Sequence, residues 1–235
     1  MTGGPKRFYR AVSVVRREGG FEIALDGRPV RTPGKRPFAV PSEGLAAAIA
    51  AEWDAQGERL DAETMPLLYL AYRAIDIVGA ERIRIVEDIG GFAGSDLLCY
   101  RDEGSSDLAR RQHALWQPLL DWAAARFDAP LASTRGVVFV EQAPAVLAIY
   151  RDAVGRYDDY ALAGLAQATQ ALGSLVLGLA LAEGRIDAEE ATALSELDEI
   201  HQMERWGEDA EALRRRQGLA RDVATAARFM ALSRG

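Results

Sequence analysis

Between positions 8 and 40, apolar residues recur at short, strand-like intervals. Val12, Val14 and Val15 fall within residues 8–17, and residues 21–25 alternate apolar with polar. Asp26-Gly27 separates the latter run from a short strand expected at 28–32. That dipeptide is a strong two-residue hairpin signal, because a type I′ turn needs positive φ at both central positions. Pro33-Gly34-Lys35 predicts a second turn, and residues 37–40 a last short strand. The pattern predicts a small antiparallel sheet of about four strands, which needs a partner against its apolar face to be stable.

From Ser42 onward the period changes to that of helices. Ser42 is the expected cap of an alanine-rich helix over 45–53 that ends near Trp53, and Pro66 sits in the first turn of a helix over 65–78. A further helix is predicted over 80–89, after which the glycines at 90, 91 and 94 break the chain. Residues 96–100 read either as an extended segment or as the start of the next helix. An amphipathic helix over 107–127 carries Trp116 and Trp122. Residues 136–140 are apolar, β-branched and short enough for a strand. Helices are then predicted over 144–157, 160–183, 187–206 and 209–232. The fold class is therefore α+β: a small N-terminal antiparallel β domain over 1–41, followed by a larger all-helical domain over 42–235. Residues 161–182 carry no charge and are long enough to span a bilayer. Gln167, Thr169, Gln170 and Ser174 interrupt them, however, and the flanks are acidic. A buried core helix is expected, with Gly164, Gly173 and Gly178 allowing close helix approach, and not a membrane-embedded one.

The stretch 187–207 predicts one helix that presents a partner-binding surface. Asp187 serves as N-cap with Glu190 three residues on. At about 100° per residue, Ala193, Leu194, Leu197 and Ile200 share a face. Glu204 falls in the middle of that face and His201 at its edge, while Glu196, Glu199 and Met203 point elsewhere. Gly207 is the expected stop. Two readings of Glu204 stand side by side: a solvated or locally paired charge, or a partly buried carboxylate that meets a cation on another chain.

Charge sharpens this picture. The chain carries a formal net charge of −7, which disfavours nucleic acid and anionic membrane surfaces as partners. Ten acids and one base, Arg205, fall between 187 and 211. Six arginines follow between 214 and 234. Neighbouring helices can neutralise one another, or the acidic surface can select a basic partner. Cys99 is the single cysteine, so no intrachain disulfide forms, and its apolar neighbours predict an inert packed thiol. The N-terminus lacks an apolar signal core, which fits either a bacterial cytoplasmic protein or a chain already processed. No catalytic or metal-binding motif is present and only two histidines are available, so no catalytic residue, metal or cofactor is expected.

Eight stretches occur in an order that resembles a known family. They are R-F-Y at 7–9, L-D-G-R-P-V-R-T-P at 25–33, V-P-S at 40–42, A-E-W-D-A-Q at 51–56, M-P-L at 65–67, A-I-D at 74–76, S-D-L-L-C-Y-R at 95–101 and L-D-E-I-H-Q-M-E-R-W-G at 197–207. The chain resembles the assembly chaperones of the catalytic head of the F-type ATP synthase, the members that hold the alpha subunit. The resemblance implies a β domain followed by a helical domain, no enzymatic activity, and a monomer that covers the alpha subunit's beta-facing surface until the beta subunit replaces it. It places the family's late acidic positions at Asp198, Glu199 and Glu204, next to His201 and followed by Trp206. Ile-His-Gln stands at 200–202 where many relatives have an acid and a tyrosine before the glutamine, so which acid matters stays open; helix geometry favours Glu204, then Asp198. The rivals are a small-molecule enzyme using a carboxylate in an interdomain cleft, and a scaffold with another client.

Overall fold

Strands β1 (Val12–Arg17) and β2 (Gly20–Leu25) pair antiparallel, with Val14 opposite Ile23 and Val12 opposite Leu25. Strands β3 (Arg28–Pro29) and β4 (Ala39–Val40) both pair with β2, giving the expected four-stranded sheet. Asp26 and Gly27 have φ of 48° and 77°, the double positive φ of the predicted turn. The third strand is shorter than expected: beyond Pro29 only a bridge between Arg31 and Pro37 remains, because Pro33 and Lys35 turn the chain away. This computed structural model describes residues 4–103, 106–136, 138–207 and 210–235.

Two compact units can be distinguished: residues 1–82 with 158–164 and 228–235, and residues 83–157 with 165–227. In the first, helix α1 (Glu43–Asp54) lies against β1 and β2. Leu45, Ile49 and Trp53 recur every four residues, all are buried, and each contributes about 1.5–3 kcal/mol of burial. Ser42 caps the helix, its Oγ accepting from Leu45 N at 3.0 Å while its hydroxyl donates to the Leu232 carbonyl. The Tyr160 hydroxyl donates to Ala39 O, and its ring stacks on Phe229 at 6.2 Å. These contacts return 158–164 and 228–235 to the first unit. A boundary at 41/42 follows the change from strand to helix, whereas compactness groups α1, the helix at Pro66–Arg73 and these returning segments with the sheet.

The helix expected over 65–78 is α2 (Pro66–Arg73) followed by a π-helical turn, Ala74–Val78. The loop at 32–36 grips that turn. Asp76 accepts from the Thr32 hydroxyl at 2.7 Å and Gly34 N at 2.8 Å, and Arg36 donates to Ile75 O at 2.6 Å. Helix α3 (Gly79–Gly90) follows, with a non-helical residue at Glu81.

In the second unit, short 3-10 turns at Gly91–Ser95 and Leu97–Cys99 lead to β5 (Tyr100–Arg101) and α4 (Asp107–Phe127). The strand expected over 136–140 does not form in its described residues; Val137 lies outside them. Instead β6 (Thr134–Arg135) pairs with β5 in a short parallel ladder. Helix α5 (Pro144–Gly155) follows. The uncharged run divides into α6 (Asp159–Leu172) and α7 (Leu175–Ala182) rather than one helix. Gly173 at φ 64° turns the chain, and Ser174 caps α7 by accepting from Leu177 N. All eight residues of α7 are buried. A Cβ on Gly178 would collide with the Thr169 hydroxyl, so glycine permits the close approach of α6 and α7. Among the described residues, no helix is long and apolar enough to cross a membrane. The last helices are α8 (Ala188–Ser195), α9 (Leu197–Trp206) and α10 (Ala210–Ser233). The expected start of the last helix at Asp209 lies outside the described residues.

A buried carboxylate ties this unit together. Asp96 Oδ1 accepts from the Ser174 hydroxyl at 2.7 Å and Leu98 N at 3.1 Å, and Oδ2 accepts from Val176 N at 3.0 Å. Burial raises its carboxyl above the ordinary carboxylate range, and these donors oppose the rise. Cys99 beside it is buried, and burial first, then Asp96, pushes its thiol up to about 12. Asp96→Asn turns an amide N–H toward backbone donors, and we expect it to cost roughly 1–3 kcal/mol in urea unfolding.

Candidate partner-binding surface

The stretch 187–207 breaks at Glu196, whose φ of −103° and ψ of 18° end α8 and begin α9. Asp187 caps α8 as expected, accepting from Glu190 N at 2.8 Å. The break has a tertiary cause. The indole of buried Trp116, on α4, donates to Leu194 O at 2.9 Å. In one continuous helix that carbonyl would accept from the backbone N–H of residue 198. On α4, Gln112 lies one turn before Trp116; its Nε2 donates to Asp198 Oδ1 at 2.7 Å. Arg111 beside it donates from Nη1 to Glu204 Oε2 at 2.7 Å. As the α4 number rises from 111 to 116, its partner falls from 204 to 194, so the segments run in opposite directions at this contact.

The break changes which residues share a face. Leu194 and Leu197 are buried as expected, but Ala193 is exposed. Glu196, expected to point away, is buried and receives Arg216 Nε at 2.8 Å. His201 is buried rather than at an edge, and its Nδ1 has no hydrogen-bond partner among the described residues. Glu204 is not in the middle of the apolar face. Its side chain is 49% exposed and meets Arg111, which also reaches Asp107 at 3.0 Å. The local-pairing reading of Glu204 therefore describes this chain. Glu199 is exposed and makes no ion pair among the described residues. Trp206 is 78% exposed, and Gly207 ends the helix at φ 90°, its N–H donating to Met203 O. Glu208 and Asp209, part of the acidic run, lie outside the described residues.

Asp198 is half-buried. Burial raises its carboxyl above the ordinary range; the Gln112 hydrogen bond opposes this, and the nearby charges of Glu199 and Asp102 add to it. The resulting surface presents an exposed indole, a free carboxylate at Glu199, a reluctant one at Asp198, and a carboxylate at Glu204 held by an exchangeable exposed arginine. Sequence reasoning did not include Arg111 and Gln112. The signal available was the amphipathic pattern at 107–127, which places polar residues on the face that α9 meets. Among the described residues no cluster of three or more His, Cys, Asp or Glu is arranged to hold a metal ion.

The sequence matches the family described as ATP12 chaperone protein over residues 6–124, half of the chain. The chain belongs to that family. It is 42% identical to Atp12 of Paracoccus denitrificans, whose crystal structure superposes with a TM-score of 0.93 over 97% of this chain and 98% of that one. The Atu1473 protein of Agrobacterium tumefaciens is also 42% identical, with a TM-score of 0.92, covering 97% of this chain and 86% of that chain. Protein atp12, mitochondrial, of Schizosaccharomyces pombe is 26% identical over 219 residues, 87% of this chain and 75% of its own. Membership of the ATP12 family meets the expectation drawn from the ordered motifs.

The raised Asp198 carboxyl has a defined sign in stability. The folded state binds this proton more tightly than the unfolded state, so the stabilisation is full below the ordinary carboxylate range and is lost as pH rises through the folded value. Asn at this position keeps an acceptor for Gln112 and removes the titration. Relative to Asp198→Asn, the unmodified protein should therefore gain unfolding free energy as pH falls from 7 to 4, read by urea denaturation.

Proposed function

We propose that this ATP12-family chain is an assembly chaperone of the F-type ATP synthase, and that its client is the unassembled alpha subunit, whose beta-facing surface it shields. The observation that carries the reading is the α9 surface, where an exposed Trp206 follows three acids on one short helix. Tryptophan is over-represented among residues that dominate binding energy, and its exposure leaves a large apolar area uncovered. Leu115 on α4 is also exposed and adds apolar area to the same unit.

An unassembled subunit exposes an interface-sized apolar patch that promotes aggregation. Trp206 supplies apolar contact, and the acids orient arginines of the client. Glu199 is immediately available for this. Glu204 must exchange Arg111 for a client cation, which makes Arg111 an internal competitor. The client replaces one exposed pair by another, so little is lost on release, when the beta subunit takes the same surface. Catalysis has no part in this role. The proposed location is the bacterial cytoplasm, with the mitochondrial matrix for organelle relatives.

The test is light scattering of denatured alpha subunit diluted with and without this protein, with beta subunit as control client. Suppression confined to alpha, with a recoverable complex, is expected; equal suppression of beta, or none of alpha, overturns the client assignment. Two surface changes refine it. Glu204→Lys and Trp206→Ala should each weaken holding of alpha about tenfold or more while leaving the melting curve close to that of the parent. Arg111→Ala, which frees Glu204, should strengthen holding rather than weaken it. Intact holding by Glu204→Lys removes that residue from the site.

A further inference from the structure

The first unit contains a cleft of about 590 Å³, a volume typical of ligand sites. Its walls come from stretches far apart in the chain: 8–9 before β1, 25–31 around the hairpin, Trp53 at the end of α1 and Tyr72 on α2. Tyr9 and Trp53 meet edge to face at 5.5 Å, and the Tyr9 hydroxyl donates to Trp53 O at 2.6 Å. Leu25 and Val30 add aliphatic wall, and Phe8, 71% exposed, stands at the lip against Tyr9 at 5.3 Å.

Some of the donors on residues that line this cleft have no acceptor among the described residues. Trp53 is only 7% exposed, and among the described residues its indole N–H has no hydrogen-bond partner. A buried donor left unmade costs free energy unless something else meets it. Among the described residues the Tyr72 hydroxyl makes no hydrogen bond, and burial first, then Tyr69 and Asp76, pushes it up to about 12, so it stays a donor. The Arg28 side chain makes no hydrogen bond among the described residues, though its charge acts on Asp26, while Arg31 spends one donor on Lys35 O at 3.0 Å. The one carboxylate in the lining, Asp26, is already committed. It accepts from Arg10 N at 3.0 Å and Ala11 N at 2.8 Å, and these bonds hold it below the ordinary carboxylate range.

We propose that this cleft is a second binding site, which takes a linear polypeptide segment carrying an aromatic or aliphatic side chain beside a carboxylate. The apolar walls, Trp53 among them, receive the side chain, and Arg28 and Arg31 receive the carboxylate. The charge of the lining sets the class: two arginines face one carboxylate that is itself engaged by backbone. A basic segment is repelled by the two arginines, and a neutral one meets them only with carbonyl oxygens and leaves their charge uncompensated. The site is independent of whichever client the α9 surface holds.

The probe is the peptide acetyl-Gly-Glu-Phe-Glu-Gly-amide, titrated against the full chain labelled at the indole nitrogen of tryptophan. Its control carries glutamine in place of both glutamates. The acidic peptide should move the Trp53 indole N–H resonance, leave those of Trp116, Trp122 and Trp206 in place, and bind at least tenfold more tightly than the control. Arg28→Glu should abolish that tenfold preference. Arg28→Gln, which removes only the charge, should reduce it, and it serves alone if the reversal lowers the melting temperature. Equal affinity for the two peptides, a preference unchanged by Arg28→Gln, or a response confined to the other indoles overturns the assignment.

Discussion

The hydrogen bond from the Trp116 indole to Leu194 O sets the geometry of the second unit's surface. Trp116 is fully buried, so its N–H must find an acceptor, and the acceptor it finds lies inside what would otherwise be a continuous helix. With that carbonyl taken, α8 ends and α9 starts on the two sides of the non-helical Glu196. Gln112 and Arg111, within the preceding turn and a half of α4, then meet the side chains that α9 brings to them. One buried polar requirement thus determines which acids are covered and which remain exposed.

That dependence explains what could be read from the sequence and what could not. The sheet was legible because strand period and turn chemistry are local. Asp26-Gly27 adopts double positive φ with no help from distant residues. The cap at Asp187 and the stop at Gly207 were legible for the same reason. The break at Glu196 was not, since the period runs through it and neither glycine nor proline marks it; its cause is about 80 residues away on α4. Gly173-Ser174 did carry a local signal, a turn residue followed by a cap, but the uncharged run around it masked the division between α6 and α7. Likewise, the return of residues near Tyr160 and Leu232 to the first unit rests on long-range hydrogen bonds and apolar packing that no window of sequence contains.

For the candidate site, the helical stretch that carries the acids could be read but not the environment of each acid. Chemically similar residues were assigned by position on an ideal helix, and the break reassigned them. Glu196 became a buried partner of Arg216, Asp198 a half-buried acceptor of Gln112, and Glu204 an exposed partner of Arg111. Only Glu199 kept the environment that helix geometry assigned it. Charge counting identified an acidic stretch; tertiary pairing decides how much of that charge a partner meets.

The consequence concerns release as much as holding. Exposed ion pairs are individually worth little, so an acid already paired with an exposed arginine costs little to recruit and little to return. Desolvation makes Asp198 different: a cation drawn to it must displace a neutral amide rather than another charge. Binding built on Glu199, Glu204 and an exposed indole can therefore be fast to form and fast to break, with contact area rather than buried charge providing its strength. In such a design the internal arginine is part of the mechanism. On the proposed role, it keeps Glu204 paired while no client is present and offers the same pairing back when the client leaves.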